Sequence, residues 1–402
     1  MMHINLMGFT NRLNLSSPVF YLYLLTLLLV VAYSAFIVYN LVYWRKVGYQ
    51  RKEALHKATK VSIIIPARNE EKNIAKCLAS VLNQDYGRED MEIIVCDDQS
   101  EDHTRDVAKR ILSGSNVKNT ILEAENQVSN KKSAIESGIR AATGDLIILT
   151  DADCVAGNTW VSALVKAYVP QVTTMLCGPV AIIGEASLCD KFQSLEQCGL
   201  SLLTGAGIAA GIPLLCNGAN MAYSREAFYA AGGFNGINDI PTGDDTLLLF
   251  KMNKKFPGTI RYIKSKEAMV FTGAQPGWSA FFQQRIRWAS KGFRGGNYLN
   301  TAVGLLVFLS DLLLIISGFY LFFNTLYLPV FLLSIFLKSA IDFLLLTYAA
   351  KFFDKKNLLT VFLIAEPITI IYTSLVGFAA FVIPYTWKGR KYKVSRSGIS
   401  KK

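Results

Sequence analysis

The chain has 402 residues, enough for one large domain or two of ordinary size, and 51% of them are hydrophobic, which argues against a wholly soluble protein. Its formal net charge is +12, and two short segments account for all of it, 45–60 with +5 and 388–402 with +7. Basic clusters beside apolar spans are typical of the cytoplasmic side of a membrane. Because the chain also contains no base-reading motif, we expect no nucleic-acid partner.

The cysteines and histidines narrow the chemistry. The seven cysteines are scattered without a C-x-x-C pair, which argues against a zinc site or a disulfide framework and fits a reducing compartment. Of the three histidines, only His103 falls in the central part of the chain. Chemistry near neutral pH must therefore rely on carboxylates or on a bound metal ion.

The N-terminal part predicts a membrane anchor. After an N-terminal segment, 1–17, the stretch Val19–Val42 has no charged residue and exceeds the ~20 residues that a bilayer core requires. A basic flank follows it, where a signal peptide would have a small-residue cleavage site. We therefore predict a retained transmembrane anchor, 18–43, and a basic juxtamembrane linker, 44–60.

Residues 61–275 have the pattern of a soluble α/β domain. Three short apolar runs of strand length, 61–65, 92–96 and 145–150, are separated by helical patterns, which predicts parallel strands. In the first helical pattern, Asn69 is the predicted N-cap. Because open parallel sheets bind ligands at the carboxyl ends of their strands, the polar residues after each run are site candidates.

Acidic pairs follow two of these runs. Asp151 and Asp153 come directly after the third run, and Asp97 and Asp98 follow the second. Alternate residues that leave a strand can direct two carboxylates at one hard cation, Mg²⁺ or Mn²⁺, of the kind that bridges a diphosphate. We predict that the four acids meet at one sheet edge. For the D-x-D triplet taken alone, a solvated acidic loop is the alternative.

Other charged side chains of the domain are further candidates. Arg68 follows the first run, and Lys131 and Lys132 precede a predicted helix, so all three can meet phosphate oxygens; a solvated lysine pair is the alternative. Asp244 and Asp245 stand between a Pro-Gly turn and an apolar helical run. This pair either caps that helix or provides the general base for an acceptor hydroxyl.

Residues 276–300 form a predicted interfacial segment with a Q-x-x-R-W pattern. It contains Gln284, Arg285, Arg287 and Trp288. Arginine offers a planar fork to a leaving diphosphate, and tryptophan offers an apolar face to a sugar ring or a lipid. A basic and aromatic helix at the membrane surface is the alternative.

The C-terminal part is again apolar over residues 301–385. It divides into three stretches: 303–323, 326–349 and 358–384. Three full crossings would place the basic tail, 386–402, outside, against the positive-inside tendency. We therefore predict transmembrane and re-entrant helices, with a break near Glu366 and Pro367 that keeps the tail cytoplasmic.

Two features have structural interpretations. Lys338 and Asp342 are four residues apart in an apolar stretch and are predicted to pair across one helical turn. The sequence GAGIAAG, 205–211, resembles a dinucleotide fingerprint, but its final spacing is wrong and no strand precedes it. We predict that its glycines allow close packing.

Six motifs occur in order over about residues 60–292: VSIIIPARNE, VCDDQS, LTDADC, CNGANMAYSREAF, TGDDT and QQRIRW. Together they resemble the family 2 glycosyltransferases, a group that includes the cellulose and hyaluronan synthases and to which ceramide glucosyltransferases are similar. The resemblance implies a GT-A fold, which is a Rossmann-like α/β fold with a mostly parallel sheet and helices on both faces, here joined to transmembrane helices. It also implies a UDP-sugar donor and Mg²⁺ or Mn²⁺ as the cofactor.

The resemblance assigns roles to matching residues. The nucleotide would be lined by Pro66, Ala67, Arg68, Glu70, Asp98 and Asp151, to which the patterns above add Lys132, Gln284 and Arg285. The metal ligands would be Asp151 and Asp153, and the acceptor pocket would contain Gly218, Ala219, Asn220 and Trp288. Asp245 matches the base of the family's ED pair, with Asp244 in place of the glutamate, and Arg287 matches the leaving-group position.

The implied reaction is one in-line displacement with inversion, in which the sugar moves to a hydroxyl of a growing polysaccharide or of a lipid acceptor. We expect an integral protein of the cell or inner membrane whose catalytic domain faces the cytoplasm, with synthase or export subunits as further partners of a polysaccharide synthase. The alternative is a catalytically silent subunit of a synthase complex that binds the nucleotide sugar.

Overall fold

The computed structural model describes residues 17–48, 59–123, 130–238, 243–292, 297–382, 385–387, 390–395 and 398–401. The predicted N-terminal segment up to residue 16, most of the basic linker, and Thr242 of the TGDDT motif lie outside these ranges.

The described chain begins with a long helix, alternates strands and helices over the central domain, and ends with three long helices followed by three short strands. The strands are β1 Val61–Ala67, β2 Met91–Asp97, β3 Lys118–Glu123, β4 Leu146–Leu149, β5 Val155–Ala156, β6 Met175–Cys177, β7 Val180–Ile183, β8 Met221–Ser224, β9 Ile260–Tyr262, β10 Val270–Gly273, β11 Tyr385–Trp387, β12 Arg390–Ser395 and β13 Gly398–Lys401. The α-helices are α1 Pro18–Lys46, α2 Ile74–Leu82, α3 Thr104–Ser113, α4 Lys131–Ala141, α5 Trp160–Ala167, α6 Leu188–Ala209, α7 Arg225–Ala230, α8 Thr246–Lys255, α9 Gly277–Gly292, α10 Tyr298–Tyr320, α11 Leu328–Phe352 and α12 Phe362–Val382.

A seven-stranded sheet in the order β3-β2-β1-β4-β8-β6-β9 organises the domain. Strands β1 to β4 are parallel, and β8 runs antiparallel to both of its neighbours. The residues of β1 and β2 are buried along their whole length, as expected for β-branched runs in a sheet covered on both faces. The predicted, mostly parallel α/β sheet is therefore confirmed.

Helices cover both faces of this sheet. On one face, α2, α3 and α5 contribute to one apolar core. On the other face, α4, α6 and α8 share a core with the ends of α1 and α11, through residues that include Trp44 and Leu345. The domain and two of the apolar helices are thus built on one continuous core. The sequence 205–211 lies at the end of α6, where a side chain on Gly205 would meet Trp44 at 2.7 Å, in agreement with the predicted close packing.

The loop after β1 differs from its prediction. Helix α2 begins at Ile74 with Asn73 as its N-cap, so the prediction of Asn69 as the cap is wrong. Asn69 instead has a positive φ of 52°, a region that asparagine tolerates better than most residues. Its side-chain oxygen accepts a hydrogen bond from the backbone N–H of Glu101 at 2.9 Å. Asn69 therefore joins the loops that follow β1 and β2.

Two small sheets were not predicted. Strands β5, β10 and β7 form one, and β11, β12 and β13 form an antiparallel sheet in the basic tail. Most of these strands have two to four residues. Such short segments carry too few residues for a periodic hydrophobic pattern.

Four helical stretches among the described residues are long and apolar enough to cross a membrane, judged by length and composition. They are Pro18–Lys46, Tyr298–Tyr320, Thr325–Phe352 and Lys356–Ala380. The predicted break near Glu366 and Pro367 is wrong, because α12 is one helix with Pro367 inside it. Pro367 is near the helix start, so its missing N–H removes only a bond to a first-turn carbonyl. The side of the membrane on which the tail lies stays a prediction.

A buried charge cluster joins three of these helices. Lys338, with a side chain only 1% exposed, lies 2.5 Å from Asp342, 3.3 Å from Asp311 and 3.8 Å from Glu366. The predicted pairing of Lys338 with Asp342 is confirmed. The hydroxyl of Tyr33 on α1 also donates a hydrogen bond to Asp342, which connects the cluster to the fourth helix.

Candidate active site

One cavity of about 1000 Å³ opens at the carboxyl ends of β1, β2 and β4 and contains most of the predicted site residues. Its polar end is lined by Pro66, Ala67, Arg68, Glu70, Asp98, Asp151, Asp153, Gly218, Ala219, Asp244 and Asp245. The Q-x-x-R-W segment contributes Gln284, Arg285, Arg287 and Trp288 to the same cavity. Segments separated by more than 200 residues in sequence therefore converge on one space.

The loops after β1 and β2 are held together by Arg68. Its guanidinium donates hydrogen bonds to the carbonyl oxygens of Asp98 and Gln99, each at 2.7 Å, and forms an ion pair with Glu101 at 2.9 Å. Glu70 is buried and accepts a hydrogen bond from Asn73 at 2.7 Å. Arg68 thus fixes the shape of this cavity wall.

Three of the four predicted acids line the cavity, and Asp97 does not belong to this group. Asp97 turns into its own loop, where its carboxylate accepts hydrogen bonds from the N–H and the hydroxyl of Ser100 at 3.3 and 2.5 Å. Consecutive residues that leave a strand point to opposite sides, so Asp98 reaches the cavity and Asp97 cannot. The prediction that four acids meet is therefore corrected to Asp98, Asp151 and Asp153.

Lys131 is the cation of the acidic end. Its ammonium nitrogen lies 2.6 Å from an oxygen of Asp151 and 3.2 Å from an oxygen of Asp244. Burial alone would lower the pKa of Lys131, but the negative charges of Asp151 and Asp244 outweigh it and raise that pKa above its ordinary value. Lys131 therefore remains charged and links the D-x-D triplet to the second acidic pair.

The prediction that Lys132 binds the nucleotide is wrong. Its side chain is 2% exposed, and the ammonium donates a hydrogen bond to the carbonyl oxygen of Ile237 at 2.6 Å, beneath the cavity wall. Lys131 and Lys132 are consecutive at the start of α4, so they project about 100° apart around the helix. Only Lys131 faces the cavity.

The helix-capping interpretation of the second acidic pair is confirmed for Asp245, and its role as the general base stays a prediction. Asp245 is the N-cap of α8, with one carboxylate oxygen accepting the N–H of Thr246 at 2.6 Å, and it also lines the cavity. A side chain on Gly218 would come within 3.5 Å of Asp244 and of Asp245. The loop before β8 therefore packs directly against both acids.

Asn220 has a structural position, so its prediction as an acceptor residue is corrected. The side chain is fully buried and donates hydrogen bonds to the carbonyl oxygens of Pro179 and Ala268 at 2.8 and 2.7 Å, while accepting one from the indole N–H of Trp160 at 3.0 Å. These bonds hold the segments around β8 together. Asn220 supports the neighbouring Gly218 and Ala219 from behind the cavity wall.

Arg285 is paired within the protein, which argues against its predicted contact with the diphosphate. Its guanidinium donates to both carboxylate oxygens of Glu196 on α6 and lies over the rings of Phe281 and Trp288, at 4.4 and 4.2 Å from their centroids. Tyr372 of α12 donates a hydrogen bond to the same carboxylate. Glu196 and Tyr372 were not predicted, because the sequence contains no signal that connects α6, α9 and α12.

The thiols near the acids are packed side chains. Cys77 and Cys154 are buried, and burial together with the charges of Asp153 and Asp151 raises the pKa of each thiol above its ordinary value. Within the described part of the chain, no group of three or more His, Cys, Asp or Glu side chains is arranged to hold a metal ion.

Comparison with known proteins agrees with this architecture. Residues 62–230 match the family model for glycosyl transferase family 2. A probable glycosyltransferase of Bacillus subtilis, YdaM, is 28% identical over 262 residues, which cover 62% of this chain and 58% of the relative. A dolichyl N-acetyl-alpha-D-glucosaminyl phosphate 3-beta-D-2,3-diacetamido-2,3-dideoxy-beta-D-glucuronosyltransferase of Methanococcus voltae is 29% identical over 192 residues, 47% of this chain and 56% of the relative. The chain thus matches little more than half the length of these two relatives.

A solved structure has the same fold. It is the mannosyltransferase of Pyrobaculum calidifontis in complex with GDP-Man and Mn²⁺, with a TM-score of 0.55 and 20% sequence identity. The superposition covers 88% of this chain and 99% of the other. The likeness confirms the predicted GT-A fold, and the separate family match identifies residues 62–230 as a family 2 glycosyltransferase domain.

Proposed function

We propose that the protein is a membrane-bound, inverting glycosyltransferase that moves a sugar from a UDP-sugar to a hydroxyl of a polysaccharide or lipid acceptor. The observation that carries this proposal is the convergence of Asp98, Asp153 and Asp245 on one cavity, from three separate segments. This arrangement suits a nucleotide sugar, whose base, diphosphate and anomeric carbon are held by different parts of one cleft.

Different lining residues of the cavity are suited to the nucleoside and to the diphosphate of the donor. Pro66, Ala67 and Asp98 line the sheet edge where the nucleoside would lie, and Asp151, which lines the same cavity, would be adjacent to the diphosphate. The P. calidifontis mannosyltransferase was solved in complex with GDP-Man, which supports a nucleotide-sugar donor here and makes GDP-sugars the natural comparison with UDP-sugars. The choice of UDP here is part of the proposal.

The acidic end fits a divalent cation, Mg²⁺ or Mn²⁺, held by Asp151 and Asp153. Both carboxylates line the cavity, and the side chain of Asp151 is 32% exposed, with one oxygen paired to Lys131. Mg²⁺ is typically bound by one or two carboxylates together with substrate phosphates and water, which matches a site that offers two carboxylates. When bound, the ion neutralises charge on the diphosphate.

The remaining steps fall to side chains of the chain. Asp245 takes the proton of the acceptor hydroxyl as the general base, with Asp244 beside it. Arg287 donates hydrogen bonds to the oxygens of the departing diphosphate, where negative charge develops. Gly218 and Ala219 leave room for the acceptor beside Asp245, and Trp288 offers it an apolar face.

The position in the cell is also proposed. Four apolar helical stretches of sufficient length support an integral membrane protein of the cell or inner membrane. The basic flanks support a catalytic domain that faces the cytoplasm, where nucleotide sugars are made, although most of the linker lies outside the described residues.

The test is donor turnover by the purified full-length chain in detergent, measured as release of nucleoside diphosphate from a panel of UDP- and GDP-sugars with Mn²⁺. We expect release from one donor and none from Asp153→Ala. Tight binding of a donor with no release or transfer under any condition would identify a silent nucleotide-sugar-binding subunit instead.

A further inference from the structure

The cavity that holds the acids does not end within the soluble domain. The same continuous space is lined by Phe36 and Ile37 of α1 and by Val376 and Gly377 of α12. It is also lined by a row of residues on α10, namely Asn300, Thr301, Val303, Gly304, Val307 and Phe308. All three helices are long and apolar enough to span a membrane. The space therefore runs from the carboxylates into the bundle of apolar helices.

The lining changes character along α10. Asn300 and Thr301, at the start of the helix, are polar, whereas Val303, Val307 and Phe308 are apolar. From residue 300 to residue 308 a helix rises by about 12 Å. We call the part of the cavity that is lined by Val303, Gly304, Val307, Phe308 and Val376 the apolar arm. Its walls suit a hydrocarbon chain, and its entrance is polar.

From this arrangement we propose that the acceptor is a membrane lipid whose hydrocarbon chain occupies the apolar arm while its head-group hydroxyl reaches Asp245. The inference rests on the proposed transferase function and names the substrate class for it. A polysaccharide would need polar walls along its whole path, because each sugar hydroxyl must keep a hydrogen-bond partner. Valine and phenylalanine side chains offer none.

Sugar transfer to a lipid head group accounts for every bond, proton and electron pair. The bond between the anomeric carbon and the diphosphate oxygen breaks, and a bond between the same carbon and the head-group oxygen forms. The proton of the head-group hydroxyl goes to Asp245, and the nucleoside diphosphate leaves with the electron pair of the broken bond. The apolar arm takes no part in these bonds and acts by holding the lipid at the correct depth.

Gly304 is the position at which this proposal can be tested without disturbing the fold. Gly304 is exposed and lines the cavity, and a side chain added there would meet no atom within 4 Å, so it would extend into open space at the arm. Gly304→Leu should therefore narrow the arm while the helix remains intact, since leucine is a better helix former than glycine. Ala302→Leu is the matched control, because Ala302 is exposed on the same helix and does not line the cavity.

The first measurement is independent of activity. A long-chain alcohol with a diazirine at mid-chain is incubated with the full-length protein in nanodiscs, irradiated, and the labelled peptides are mapped. We expect label on the 303–308 segment in the wild type and in Ala302→Leu, with at least a tenfold loss in Gly304→Leu. Equal labelling of that segment in all three proteins, or labelling confined to other surfaces, overturns the proposal.

The second measurement identifies the product. Membranes that contain each protein receive radiolabelled donor, and the label is partitioned between organic solvent and water. We expect solvent-soluble label that falls at least tenfold in Gly304→Leu, while donor affinity stays within about twofold. A water-soluble polymer as the product overturns the lipid inference and leaves the transferase function standing. If no donor is turned over but the alcohol still labels the arm, the result contradicts the transferase function and does not contradict a lipid-binding arm.

Discussion

The contact between Lys131 and Asp151 leads to a prediction with a definite sign. The ammonium of Lys131 lies 2.6 Å from an oxygen of Asp151, on the carboxylate that is proposed to bind a divalent cation. Any cation that binds Asp151 must compete with this ammonium. Replacing Lys131 with methionine should therefore tighten the binding of Mn²⁺ in the absence of nucleotide.

The size of the effect follows from the geometry. At an effective dielectric constant of about 20, two unit charges at 2.6 Å attract by about 6 kcal/mol before the cost of desolvation is subtracted. The net contribution of a hydrogen bond between charged groups is about 1.5–3 kcal/mol, which corresponds to about a 10- to 150-fold change in affinity. Because Lys131 is not fully buried, we expect the lower end, about tenfold tighter binding.

The assay is a titration of Mn²⁺ into the full-length protein, with free Mn²⁺ measured by electron paramagnetic resonance. Lys132→Met is the matched control, since it removes the neighbouring ammonium, which bonds to the Ile237 carbonyl away from the cavity. That variant should lower the thermal midpoint and leave Mn²⁺ affinity within about twofold. Unchanged or weaker Mn²⁺ binding in Lys131→Met would refute the competition argument.

Two further predictions concern stability. Lys338→Met should destabilise the helix bundle by about 3–5 kcal/mol, because it leaves buried carboxylates without their cation; a thermal midpoint within 2 °C of wild type in detergent would contradict this. Burial alone would raise the pKa of Glu92, but hydrogen bonds from Lys118, Ser62 and Thr143 outweigh it and lower that pKa from 4.5 to about 2. Glu92 therefore contributes at most about 3 kcal/mol of stability above pH 4.5, and this contribution is lost as the pH falls towards 2. In thermal unfolding, Glu92→Gln should be less stable than wild type at pH 6, and the two proteins should converge near pH 2. A difference that is constant across this range would contradict the assignment.

The sequence predicted best those parts that depend on burial alone. The runs at 61–65, 92–96 and 145–150 became β1, β2 and β4, because strands covered on both faces need continuous apolar residues. The long apolar stretches became α1, α10, α11 and α12 for the same reason. The position of the site followed from strand order, since parallel strands bring their carboxyl ends to one edge.

The wrong predictions concern residues whose orientation, distant partners or position within a helix the sequence does not show. Lys131 and Lys132 are equivalent in the sequence, and only the rotation of α4 decides which one faces the cavity. Asn220 and Arg285 occur in motif positions, but each is satisfied by partners from distant segments that no local pattern reveals. Proline at position 367 predicted a break, and its place near the start of α12 made the helix tolerant of it.

The central claim is that Asp245 is the general base of a sugar transfer, and Asp245→Asn tests it most directly. Asparagine keeps the shape of the side chain and an oxygen that can accept the N–H of Thr246, so α8 should retain its cap. We predict that transfer from the radiolabelled donor falls by at least a factor of a thousand while the affinity for UDP, measured by titration calorimetry, stays within about twofold. Transfer at a wild-type rate, or loss of UDP binding in step with activity, would contradict the account and move Asp245 to the donor site or out of the chemistry.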